Sequence, residues 1–367
     1  MKPVIAIPAT LLLVARAYSK KSLTPSGIVA AAITAAAHAY HPWNLPFVLL
    51  CVFFLAGTRV THIKEKVKAG LTLSSTGATG SEGPRTHVQV LANSLVASIL
   101  SVLHARQLSQ RAQQYLDSDA PNPSGSMCYS WGGDVLIVGI IANYAAVAAD
   151  TFSSELGILS RGEPRLITSL TLRKVPRGTN GGVSLMGLAA GLFGSMVIVS
   201  ASMVFLPYCT EDTAKLLGGG APWKMLDRRT FMLFLVASGL AGSVLDSVLG
   251  GLFQRSVRDV RSGKIVEGPG GNRVLVSSSS PLKPKTESAV DDDDEDDAAA
   301  AKKAKAASGK DRKPSFGDER PSRVVESGWD MLDNNDVNFL MAVTVSVGAM
   351  AVAAWHWGIS PGDILKP

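Results

Sequence analysis

The chain has 367 residues, 46% of them hydrophobic and only 18% charged, with a formal net charge of +6 and a mean hydropathy of +0.20. This composition describes a polytopic membrane protein and excludes a nucleic-acid binder, because Lys and Arg are scattered over short loops without interleaved aromatics. Three cysteines make neither a metal-ligand spacing nor a disulfide framework, and no removable signal peptide is read before the first apolar run.

Eight apolar runs of spanning or near-spanning length follow in order: Val4–Tyr18, Ser26–Tyr40, Leu45–Val60, Val88–Ala105, Asp134–Ala149, Val183–Tyr208, Thr230–Phe253 and Val337–Trp357. Several fall short of the ~20 residues that a bilayer asks of a helix, so these extend into polar flanks or are shielded by their neighbours. Stretches such as AAAITAAAHA and LMGLAAGLFGS are rich in Ala, Gly and Ser, which lets helix backbones approach closely in lipid. The expected fold is all-α, a compact bundle of about eight membrane helices. Self-association into a homo-oligomer is compatible with it.

The connections after the first, third and fifth runs carry Lys20 and Lys21, then Lys64, Lys66 and Lys68, then Arg161, Arg173, Lys174 and Arg177. By the positive-inside rule these loops are cytoplasmic and both termini lumenal, with the endoplasmic reticulum as the default compartment. Lys215, Lys224, Arg228 and Arg229 after the sixth run dissent. The same topology puts Cys128 and Cys209 on the lumenal side, where a disulfide is permitted, and Cys51 within the third run. Two unpaired thiols at helix ends are the alternative.

Residues 1–276 read as the membrane bundle with its site loops, 277–336 as a polar and acidic loop and linker, and 337–367 as the last helix and tail. The serine run Ser277–Ser280 and acidic run Asp291–Asp297 make Ser277–Arg323 a disordered cytoplasmic loop, since such a segment cannot bury a core.

Chemistry concentrates between the fifth and sixth runs. The fifth continues into Asp150, Ser153, Ser154 and Glu155. A carboxylate at mid-membrane costs roughly 2.5–3.5 kcal/mol, less toward a helix end, so an acid there calls for a partner. Beyond it, Lys174, Arg177, Gly178, Thr179, Asn180, Gly181 and Gly182 form a basic, glycine-rich turn that opens into the sixth run. Free backbone N–H groups at a helix start attract anions, and glycines let the backbone come close to a phosphate. Ordinary helix-end acids beside a topogenic basic loop are the plainer reading of each half.

Other polar residues converge on the same end. Arg85, Gln89 and Asn93 are spaced i, i+4, i+8 at the start of the fourth run, and Asn143, Asp150 and Ser154 share a face of the fifth. Asp246 lies in the seventh run, two turns before Gln254. Interhelical hydrogen bonds explain the amides and serines equally well, whereas an ionised Asp150 or Asp246 needs a cation. No GxxxxGK[ST], HExxH or GxSxG occurs in the chain, so a P-loop ATPase, a zincin and an α/β-hydrolase find no support.

The segments KKSLTPSG (Lys20–Gly27), RTHVQVLAN (Arg85–Asn93), ADTFSSELG (Ala149–Gly157), PRLIT (Pro164–Thr168), KVPRGTNGGVS (Lys174–Ser184) and LDSVLGGLFQ (Leu245–Gln254) resemble the integral-membrane family of transmembrane protein 19. That family includes the plant phytyl-phosphate kinase of vitamin E synthesis. Its layout is similar, more remotely, to dolichol kinase, phytol kinase and CDP-diacylglycerol synthase.

The resemblance implies phosphoryl transfer from a nucleoside triphosphate, CTP or ATP, to an isoprenoid monophosphate. Asp150, Glu155 and Asp246 would hold Mg²⁺; Lys174, Arg177, Thr179, Asn180 and the glycines would cradle the phosphoryl group. Asp150, Lys174 and Arg177 would be catalytic, and Arg85, Gln89 and Asn93 would orient the lipid acceptor. An ion-coupled or lipid transporter using Asp150 and Asp246, and an assembly factor docking a partner through its acidic loop, are the alternatives. Internal symmetry would favour the transporter, and none is found.

Overall fold

The computed structural model describes residues 1–75, 83–116, 125–274 and 322–366. Among them the chain forms α1 (Pro3–Ser19), α2 (Pro25–Ala39), α3 (Leu45–Thr61), a short α4 (Glu65–Ala69), α5 (His87–Leu116), α6 (Val135–Gly157), α7 (Leu185–Phe205), α8 (Met225–Phe253) and α9 (Asn334–Trp357). The expected all-α bundle is therefore present. Of these helices, α5 to α9 are long and apolar enough to cross a membrane, and α1 to α3 are shorter apolar helices.

The starts of α2, α7 and α9 have a local cause. Thr24 accepts the Gly27 N–H at 3.1 Å ahead of Pro25 in α2. Ser184 caps α7 through the Gly187 N–H, also at 3.1 Å. Asp333 and Asp336 form a reciprocal capping box on α9. Each satisfies donors that the helix cannot reach itself.

Helix α6 is the axis of the bundle: every residue from Val135 to Ala149 is buried. Its alanines let α7 and α8 lie against its backbone. A Cβ added at Gly242 of α8 would come within 2.5 Å of the Ala146 methyl, so the α6–α8 spacing depends on that glycine.

The connections sort by end. At one end, Arg85 bridges to Leu23, and a four-stranded sheet joins β1 (Leu73–Ser74), β5 (Ile265–Glu267), β4 (Ser256–Asp259) and β6 (Arg323–Ser327) in that order. A two-stranded ribbon, β2 (Arg165–Leu166) with β3 (Gly182–Val183), lies at the same end. At the other end, Cys128 and Cys209 form a disulfide with Cα atoms 5.1 Å apart. There the N-terminal amine binds the Ala39 carbonyl at 3.0 Å, and Gln107 binds Ile364 O near the C-terminus at 2.8 Å. This grouping is the alternation that the charge pattern of the loops implies.

The sheet is an addition to the sequence reading. Val257, Val266 and Val274 make a small core under it, the β-branched surface that pleated strands favour. The segment assigned to a disordered loop, Ser277–Arg323, lies outside the described residues except for Ser322 and Arg323, which lead into β6. The following linker is structured as β6 and the α9 cap.

Candidate functional site

Asp150 of α6 and Asp246 of α8 are neighbours lining the same cavity, close enough for their carboxyl groups to interact. Oδ1 of Asp246 is buried without a hydrogen-bond partner among the described residues. Two carboxyl groups in contact repel if both are ionised, so the pair needs a proton or a cation to stand together.

The glycine-rich loop lies directly on α8 beside this pair. Gly181 has φ +77°, and a Cβ there would be 2.6 Å from Gly251 Cα and 2.8 Å from Ser247 O. No other residue satisfies both demands. Thr179 Oγ1 donates to Pro176 O at 2.7 Å, and Ser256 Oγ accepts the Asn180 N–H at 2.9 Å. These bonds hold the loop between the ribbon and the sheet. Arg177 is half-buried and reaches Arg161 O at 3.1 Å.

A third wall comes from α5 and the end of α3. Arg85 donates to Thr61 Oγ1 at 3.1 Å. Gln89 Oε1 accepts the Thr86 N–H at 2.9 Å, and Asn93 donates back to Gln89 O at 2.9 Å. Gln89 and Asn93 therefore also serve the first turns of α5.

These groups enclose a cavity of about 580 Å³. Arg85, Gln89 and Asn93 line it from one side, Asp150, Glu155 and Asp246 from below, and Arg177 to Gly182 from the loop. Two expected residues are placed differently from the sequence reading. Lys174 does not line the cavity; it sits on the outer side of the ribbon, its side chain 65% exposed, 3.5 Å from Glu163. A left-handed backbone at Leu172, φ +48°, precedes it and turns the chain outward. Glu155 lines the cavity but is engaged by Lys68 of α4, whose ammonium also caps the Thr61 carbonyl at the end of α3. Among the described residues, no three His, Cys, Asp or Glu side chains gather as a metal cluster.

The sequence reading did not select Lys68, Arg255, Arg273, Asn334 or Asn338, which also line the cavity. Lys68 was read only as a topological charge. Arg255 and Arg273 both pair with Asp330, at 3.1 and 3.9 Å, a contact between segments far apart in the chain. Nothing in local spacing signals it.

A family profile described as "Integral membrane protein DUF92" matches residues 8–346. Protein PGR of Arabidopsis thaliana is 33% identical over 270 residues, 73% of this chain and 84% of that protein. "Protein VTE6, chloroplastic", also from Arabidopsis thaliana, is 28% identical over 194 residues, 52% of this chain and 50% of that protein. An uncharacterized membrane protein of Methanocaldococcus jannaschii, MJ0933, is 28% identical over 208 residues, 57% of this chain and 65% of that one. No solved structure matches the chain. With a profile matching residues 8–346 and five described helices long and apolar enough to cross a membrane, this chain belongs to the DUF92 family of integral membrane proteins.

Proposed function

We propose that this protein is a membrane phosphotransferase that moves the γ-phosphoryl group of a nucleoside triphosphate onto an isoprenoid monophosphate. An oxygen of the lipid phosphate bonds to the γ-phosphorus, the bond from that phosphorus to the β-bridging oxygen breaks, and a nucleoside diphosphate leaves. The products are an isoprenoid diphosphate and the nucleoside diphosphate.

The observation that carries this reading is the Asp150–Asp246 pair opening into a cavity beside a glycine loop and two arginines. Arg85 and Arg177 have no carboxylate partner among the described residues. Phosphoryl transfer asks the protein for positioning and fixed charge rather than covalent chemistry. Arg85 would bind the lipid phosphate; Arg177 and the N–H groups of Gly178 and Gly181 would hold the transferring group, those of Thr179, Asn180 and Gly182 being bonded within the protein.

The donor set suits a magnesium ion, which takes one or two carboxylates and completes its shell with water and phosphate oxygens. Asp150 and Asp246 would hold it, the unpartnered Oδ1 of Asp246 included. It would neutralise charge on the β- and γ-phosphate oxygens. Glu155, engaged by Lys68, positions α4 against α6 instead. Lys174 has no role in this scheme, given its place outside the cavity. The apolar helices would keep the isoprenoid chain in the bilayer.

The test is incubation of purified protein with phytyl or farnesyl monophosphate, Mg²⁺ and ATP or CTP, with mass analysis of the lipid. Formation of the lipid diphosphate is expected. Ion flux through proteoliposomes without any diphosphate would favour the transporter reading over this one.

A further inference from the structure

We infer that the cavity is divided, with the nucleoside of the donor seated against the wall formed by the β-sheet and the first turns of α9. The lipid phosphate then enters beside the apolar helices α3, α5, α6 and α7. This rests on the phosphotransferase reading and extends it to residues that no sequence motif marks.

The two walls differ in kind. Phe53, Asn93, Thr151 and Leu188 reach the cavity from apolar helices. Withdrawing an isoprenoid tail from hydrocarbon is costly for every CH₂ exposed to water, so its phosphate arrives from that side. Asn272, Arg273, Asp330, Asn334 and Asn338 line the far wall, and they come from the polar connection and the capped start of α9. A water-soluble nucleoside finds no membrane in its way there.

The far wall also has the right donors. Its three asparagines offer both hydrogen-bond donors and acceptors without charge, which suits base edges and ribose hydroxyls better than phosphate. The Asn338 side chain makes no hydrogen bond within the described residues. Gly271, at φ +82°, brings the backbone close to Asn334: a Cβ there would lie 3.1 Å from Asn334 Cβ. Gln254 ties the end of α8 to this wall through Asp333 O at 3.0 Å.

Arg255 and Arg273 on that wall share the one carboxylate of Asp330, at 3.1 and 3.9 Å, whereas Arg85 and Arg177 have no carboxylate partner among the described residues.

The intact protein in detergent, irradiated with 8-azido-ATP or 5-azido-CTP and Mg²⁺, tests this by peptide mapping. Label in peptides containing Asn272, Asn334 or Asn338 is expected. Label on the α5 peptide carrying Gln89 and Asn93, or no label with either nucleotide, would overturn it. In kinetics, Asn338→Ala should raise the triphosphate KM roughly three- to tenfold, the loss of one neutral hydrogen bond, with the lipid KM unchanged within about twofold. A rise in the lipid KM alone would overturn it. Should that variant fail to fold, Asn334→Ala serves, and the labelling uses the unaltered chain. Labelling at the far wall without diphosphate formation would sink phosphoryl transfer while keeping the nucleoside seat; diphosphate formation with label on α5 would do the reverse.

Discussion

Asp150 and Asp246, 96 positions apart in the sequence numbering, meet across the α6–α8 interface with their carboxyl groups close enough to interact and one oxygen of Asp246 buried without a hydrogen-bond partner among the described residues. The Ala- and Gly-lined packing of these helices makes the meeting unavoidable, since Gly242 lies one turn before Asp246 against Ala146, one turn before Asp150. Asp150→Asn and Asp246→Asn keep the volume and a hydrogen bond but remove a charge. Each should lower phosphoryl transfer by about two orders of magnitude or more, the scale of a lost electrostatic element in a site, with thermal unfolding in detergent shifted little. A silent Asp246→Asn would confine the cation to α6.

The Lys68–Glu155 pair is mostly buried, with side-chain exposures of 11% and 12%. Lys68→Met should cost about 3 kcal/mol of stability because it leaves Glu155 uncompensated, and adding Glu155→Gln should recover much of that. A thermal-unfolding cycle in detergent measures the coupling. Additive losses would show that the two do not act as a unit.

Gly181→Ala should displace the glycine loop from α8 and lower activity at least tenfold, because its Cβ would overlap the Gly251 and Ser247 backbone at a positive φ. Gly162→Ala, in the same connection with open space around it, is the control and should behave as wild type. Turnover of the two variants side by side decides it; equal turnover would remove the loop from the site.

Much of this site was legible because helical spacing survives folding. Gln89 and Asn93, one turn apart on α5, line the cavity together, and Asp150 and Asp246 fall at the same end of their helices; Arg85 lines it too, but from an extended bridge to Leu23 ahead of α5 rather than by helical spacing. Lys174 was misplaced because a run of basic residues carries no information on which side of a two-stranded ribbon each faces. The sheet escaped notice for another reason. Its strands are two to five residues long and β5 and β6 are far apart in sequence, so no local alternation is long enough to read. With the sheet went the asparagine wall.

At the end opposite the cavity, burial alone would raise the Asp134 carboxyl, but hydrogen bonds and charge from His104 and Arg111 outweigh it and hold the group at about 2. An unfolded Asp titrates near ~3.9. The folded value is the lower one, so this stabilisation is fully present above about pH 4 and is lost as pH falls toward 2. It amounts to about 2–3 kcal/mol. Thermal unfolding in detergent should show a decline over that window in the wild type. An unchanged unfolding temperature from pH 5 to pH 2 would contradict the arrangement.

The Cys128–Cys209 disulfide at that same end persists in an oxidising compartment. Maleimide labelling of denatured protein should therefore gain two sites after reduction, beyond Cys51. Equal labelling before and after reduction would exclude the bond.

The account turns on whether Asp150 and Asp246 serve phosphoryl transfer to a lipid phosphate. Purified protein with farnesyl or phytyl monophosphate, Mg²⁺ and γ-labelled ATP or CTP measures it directly. Label should appear in the lipid diphosphate with wild type and with Lys174→Met, and be lost with Asp150→Asn and Asp246→Asn. A folded wild-type protein that transfers no label from either triphosphate, or aspartate variants that transfer it at the wild-type rate, would contradict the account.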